Sequence, residues 1–294
     1  MGRVRIGTSG WSYDSWQNRF FPDGLARRRL EYLATQLDTT EVNGTFYSLQ
    51  RASSFRRWAD ATPDDFRFAI KGSRYITHMK KLAGVEEALG RFLASGPLAL
   101  GPKLGPLLWQ LPAGLAWDHD RLDAFLRQLT RTTGDAAAAA RDHTDRVPDP
   151  WTGVDEDRPL RHALEVRHPS FRDPAAVRLL REHDVALVVS DGSGEFPRFD
   201  DVTSSLVYVR LHGDTELYRS GYDESSLATW ADRVRAWGAG KVPTSSDTIA
   251  PDDPAPASSA GRDVVVYFDN DAEGHAPCDA LALAQRVSGR HQPG

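Results

Sequence analysis

Acids, amides and cations recur at the ends of short apolar runs, an arrangement that can bring catalytic groups together from remote parts of a chain. Glu41, Asn43 and Tyr47 stand in TTEVNGTFY, Lys71 lies in FRFAIKG, Gln110 in GPLLWQLP, and Glu165 and Arg167 alternate in HALEVRH. Asp191 lies in ALVVSDG, Arg210 and His212 alternate in LVYVRLHG, and Asn270 ends VVVYFDN. Glu41 or Glu165 would serve as a general base, and His212 would carry a proton near neutral pH. Lys71, Arg167 and Arg210 would hold an anionic group. The chain has five lysines against thirty-one arginines, so a lysine at position 71 points to a compact ammonium against an oxyanion, or to an ordinary pair with Glu41 or Glu165.

Three cations and three carboxylates can also neutralise one another as an ion network without chemistry. His168 is out of phase with Glu165 and Arg167, which favours His212 as the proton carrier, with His78 a third candidate beside Lys80 and Lys81. Trp11 in GTSGWSY, with Tyr13, Tyr47 and Tyr75, would supply a stacking wall for a sugar or base. Glu41, Glu165, Asp191 and His212 would alternatively make an oxygen-rich divalent site, as in a metal-dependent hydrolase or isomerase. The neighbouring cations oppose a metal, and none is expected. No HExxH, CxxC, P-loop or dinucleotide fingerprint occurs, so no cofactor is expected either.

The elements that must position these residues alternate. A strand at 3–9 precedes an amphipathic run at 25–37, with Leu30, Leu33 and Leu37 on one stripe. Strands at 39–47, 66–72, 105–112, 162–168, 206–213 and 263–270 each precede a helical pattern, and only the strand at 186–192 does not. Eight strands and seven helices predict a single α/β domain over 1–294, a (β/α)8 TIM-barrel-like fold whose strand C-termini form the mouth. Within 39–45 a period of two places Glu41, Asn43 and Thr45 on the inward face.

Two insertions break the rhythm. Residues 134–159 hold a five-alanine run followed by a Pro, Asp and Gly-rich stretch, and argue against continuous regular structure. Residues 239–261 are rich in Pro, Ser, Ala and Asp, and predict a mobile loop because they offer little apolar surface to offset the entropy of ordering.

A net charge of -5 gives no electrostatic reason to expect nucleic acid as partner. Cys278 is the only cysteine, which excludes an intrachain disulfide, and it reads as structural. The opening MGRVRIGTSGW lacks a secretory h-region, and no stretch of roughly 18 apolar residues spans a bilayer, so a cytoplasmic protein is expected.

The ordered set IGTSGWSYDSW, EVNGTFY, FRFAIKGSRYITH, GPLLWQLP, ALEVRHPSF, YVRLHG and VVYFDND resembles domain of unknown function 72 (DUF72), the YecE-like family, over nearly the whole chain. The resemblance implies a TIM-barrel-like fold and no particular reaction. It carries over Glu41, Asn43 and Tyr47; Lys71, Thr77 and His78; Gln110; Glu165, Arg167 and His168; and Arg210, His212 and Gly213. The chain departs from the family pattern in having Asp269 within Phe268-Asp269-Asn270, and Asp279 before Ala280, where amides stand in the family. The expected function is an enzyme acting on a small anionic or polyol molecule by metal-free acid/base chemistry at the barrel mouth. The alternative is a non-catalytic protein that binds a metabolite or a partner there.

Overall fold

The computed structural model describes residues 1–25 and 27–289. In chain order the elements are β1 (Val4–Ser9), α1 (Arg29–Gln36), β2 (Thr39–Val42), α2 (Gly44–Tyr47), α3 (Ala52–Asp60), β3 (Arg67–Lys71), α4 (Glu86–Ala94) and β4 (Leu104–Gln110). There follow α5 (His119–Leu126), α6 (Thr133–Arg141), β5 (His162–Glu165), α7 (Pro174–Glu182), β6 (Val185–Leu187) and β7 (Val189–Asp191). β8 (Leu206–Leu211), α8 (Glu224–Gly238), β9 (Asp263–Phe268) and α9 (Ala276–Ser288) complete the set. By contact the chain forms two compact units: unit one is Met1–Thr40 with the chain from Pro169 on, and unit two is Glu41–His168.

In unit one the parallel order is β1-β9-β8-β7. Thr8 and Leu211 both stand in register with Phe268, and Asp191 is in register with Leu211, so these four strands end level with one another. Their residues are almost all buried, Val264, Val266, Tyr267, Phe268, Tyr208 and Val209 completely, as strands covered on both faces require. Two of the unit's helices start on side-chain caps: Asp173 accepts from the Ala175 amide at 2.8 Å before α7, and Asp223 from the Ser226 amide at 2.7 Å before α8.

In unit two β3, β4 and β5 run parallel, with Lys71 in register with Leu108 and Gln110 with Glu165. The unit-two core centres on Trp109, which meets Phe92 at 5.6 Å and Phe125 at 5.5 Å. The Trp109 indole N–H donates to His162 Nδ1 at 3.1 Å, and the other ring nitrogen of His162 meets the Thr130 carbonyl at 2.7 Å. Those two partners require the neutral Nε2–H tautomer.

Several sequence expectations need correction. β2 stops at Val42 and α2 begins at Gly44, so Asn43 and Thr45 do not alternate on a strand with Glu41. The Thr45 hydroxyl turns to the backbone, donating to the carbonyls of Lys71 at 2.7 Å and Val42 at 3.0 Å. The sixth predicted strand is two, β6 and β7. At β6 the Thr203 side chain bonds the Leu187 amide at 2.7 Å and the Val185 carbonyl at 2.6 Å. The alanine run of the first insertion is helical, as α6: alanine has the best helix propensity, and the Thr132 hydroxyl caps the Asp135 amide at 3.1 Å. Residues 239–261 lack regular structure, and a neighbouring part of the chain supplies hydrogen-bond partners for their backbone. The buried Asp201 carboxylate accepts from the amides of Ile249 at 2.6 Å and Ala250 at 3.0 Å, replacing the apolar burial the composition denies.

Candidate functional site

In each unit the polar residues of interest gather at its own strand C-termini. In unit two Glu41 lies fully buried in β2, Lys71 ends β3, Gln110 ends β4 and Glu165 ends β5. Arg167 lies beyond the strand, yet its Nη2 and Nε atoms donate to Glu165 Oε1 at 2.9 and 3.1 Å. Glu165 and Arg167, expected on one face from alternation, therefore pair across the end of β5.

Asn43 stands just before α2, and Tyr47 at its end is 71% exposed, open to a ligand. Lys71 and His78 meet the same ring of α2: the Lys71 ammonium lies 4.7 Å from the Phe46 centroid, and the His78 imidazole meets it edge-on at 5.0 Å. His78 sits on a one-turn π-helix, Tyr75–Met79, a wide turn that recurs at functional sites. Its Nδ1 lies 2.9 Å from the Thr77 hydroxyl. Burial lowers the His78 pKa below 6.5, the charges of Lys71, Arg167 and Arg74 lower it further, and Glu165 alone raises it. The imidazole is therefore neutral at pH 7, beside two cations able to take an oxyanion.

In unit one Arg210 is fully buried in β8, and its Nη2 donates to Ser9 Oγ at 3.1 Å and Asp269 Oδ2 at 2.9 Å. The same carboxylate oxygen holds His212 Nδ1 at 3.0 Å. Asp191 accepts from the Tyr222 hydroxyl at 3.2 Å, and burial raises its pKa. The Asn270 amide is engaged by the Ser220 carbonyl at 2.9 Å and Asp279 at 2.8 Å. Trp11 is half-buried in the turn after β1. Cys278 is exposed, but burial of its thiol and the neighbouring Asp279 raise its pKa, which leaves it unactivated.

Sequence reasoning marks Asp269 only as a departure from the family pattern, with no site role, and misses Asp271. The signal was register: Arg210 pairs with Tyr267, so two residues further along His212 faces Asp269. Asp271 is buried, and burial, reinforced by the Asp269 charge, drives its pKa well above the carboxylate range. Phe46, the ring shared by Lys71 and His78, carries no such signal in the sequence. Among the described residues no three His, Cys, Asp or Glu side chains group as ligands for one metal ion. Nor, among them, is any helix long and apolar enough to cross a membrane.

Parallel strands, intervening helices and polar strand ends define an α/β protein of the TIM-barrel-like class. The family model for a protein of unknown function, DUF72, matches residues 5–293, and the chain belongs to that family. It is similar to UPF0759 protein YecE of Escherichia coli K12, 33% identical over 111 residues, which are 37% of this chain and 38% of that protein. UPF0759 protein YunF of Bacillus subtilis 168 is 25% identical over 142 residues, 46% of this chain and 49% of YunF. The chain thus spans under half the length of the curated relatives it matches. A DUF72 family protein of Thermotoga maritima superposes with a TM-score of 0.71 at 22% identity, covering 97% of this chain and 99% of that one. One from Enterococcus faecalis V583 gives 0.66 at 18% identity, over 98% of this chain and 97% of the other. These likenesses carry the fold and no reaction.

Proposed function

We propose that the protein is an enzyme acting on a small anionic or polyol molecule by metal-free acid/base chemistry, with its reaction centre at the strand ends of unit two. Lys71 and Arg167 hold the substrate's oxygens, and neutral His78 accepts the proton. Glu165 fixes the Arg167 guanidinium, and Glu41 is the second carboxylate of the group. The observation that carries this reading is the meeting of Lys71 and His78 on the Phe46 ring, with an imidazole kept uncharged by its surroundings. A base poised below neutrality beside fixed cations suits abstraction of a substrate proton onto the imidazole, the negative charge left on the substrate oxygen being stabilised by the cations.

The reaction class is hydrolase, lyase or isomerase. His212 was the proton carrier expected from sequence, but it is fully buried, whereas His78 is only half-buried, so this reading gives the transfer to His78. A second reading, metabolite binding without turnover, draws on the ion network of Arg210, Asp269 and His212, which can serve as framework.

The test is a screen of hydroxy acids, sugar acids and phosphate esters for turnover, followed by Glu165→Gln in the active assay. Turnover should fall about a hundredfold or more in a variant whose circular dichroism matches the parent, the cost of loosening a positioned guanidinium in a site of this kind. Unchanged turnover in Glu165→Gln refutes the assignment, and saturable binding without any turnover supports the second reading.

A further inference from the structure

Away from these groups, unit one holds a cavity of about 550 Å3, large enough for a metabolite. Residues 202–205 before β8 and Asp184 before β6 form part of its wall, and residues 255–260 of the second insertion form another part. Val202, Ala255, Pro256, Ala257 and Ala260 make much of the lining apolar, and two arginines, Arg181 and Arg262, stand among them. Their surroundings differ. Arg181 is charge-paired, with Nη1 3.0 Å from Asp253 Oδ2.

Arg262 is 5% exposed, and its guanidinium donates to the carbonyls of Gly240 at 2.7 Å and of Pro256. Among the described residues no carboxylate lies within ion-pair distance of it, and burial lowers its pKa with no acidic neighbour to offset the effect. A buried cation compensated by carbonyl dipoles alone is costly to hold, and a bound anion would relieve that cost. The one acid in the lining, Asp184, is exposed and accepts from the Ser205 amide at 3.4 Å. Ser205 and Ser259 also line this space, and their hydroxyls make no hydrogen bond to described residues.

We propose that this cavity is a second binding site, for a small organic oxyanion with an apolar body, whose charged end is taken by Arg262 and whose body lies against the Ala and Pro side chains of 255–260. The site lies at the amino ends of β6, β8 and β9, opposite the ends that carry Asp191, His212 and Asp269. That position suits regulation or storage rather than chemistry.

Phenyl phosphate is the probe, titrated calorimetrically into the full-length protein, with benzyl alcohol as the uncharged control. Saturable binding of phenyl phosphate is expected, about tenfold or more weaker in Arg262→Gln, as loss of a charged hydrogen-bond donor would cause. Binding should be lost in Ala257→Trp, where an exposed loop residue is enlarged to fill the space while the charge stays, and it should persist in Lys71→Met. The proposal is overturned by no saturable binding, by equal binding of benzyl alcohol, or by affinity unchanged in Ala257→Trp. Loss in Lys71→Met with full binding in Ala257→Trp would place the anion in the strand-end cluster instead, and overturns it too. If Arg262→Gln does not fold, Ala257→Trp decides.

Discussion

Lys71, Glu165 and Arg167 were legible as residues because each is a charged group where an apolar run ends, and charge at such a point needs a reason. Phe46 was not, since a phenylalanine looks like core until its neighbours are known, and Asp269 showed only as a departure from the family pattern, with its partners Arg210 and His212 remote in sequence. His162 was hidden for the opposite reason, since it opens a strand and shows its role only through Trp109 and Thr130. Burial pushes its pKa from 6.5 down to about 4. The unfolded chain therefore binds the proton more readily than the folded one. The stability from the neutral ring is complete above about pH 6.5 and drains away as pH falls towards 4, a loss of roughly 3 kcal/mol. Urea unfolding at pH 7 and pH 4.5 should show that loss in the parent and a clearly smaller one in His162→Gln. Equal pH dependence in the two would contradict the neutral, buried assignment.

At the scale of elements, hydropathy period placed most strands and their following helices, because buried parallel strands are apolar throughout and amphipathic helices repeat at a fixed interval. It failed where side chains replace backbone partners. The Thr45 hydroxyl holds backbone carbonyls just beyond the end of β2, and the Thr203 hydroxyl bonds both ends of β6, contacts that the period does not show. Composition likewise does not show the partners of 239–261, which are buried polar groups outside the segment. Asp200 binds the Ser245 hydroxyl, and Asp201 binds two loop amides. Asp201→Ala removes two charge-assisted bonds, so trypsin should cut at Lys241 faster than in the parent by on the order of tenfold, with the rest of the chain protected. Equal cutting rates would show that the carboxylate does not hold the loop.

The whole molecule carries a net charge of -5, yet the groups acting on His78 are three cations and one carboxylate. A net-acidic surface repels long polyanions, while a local cationic excess accepts a single small anion, and this contrast underlies the choice of a metabolite over nucleic acid. Membership of DUF72 fixes the fold and leaves that choice to the chemistry of the strand ends. The most direct test follows the His78 imidazole by NMR across pH 4 to 9, in the parent and in Lys71→Met. In the parent it should titrate below 6.5, and removing the ammonium should move the midpoint upward. A parent midpoint at or above 6.5, or identical curves for the two proteins, would contradict the neutral base beside fixed cations on which the proposed chemistry stands.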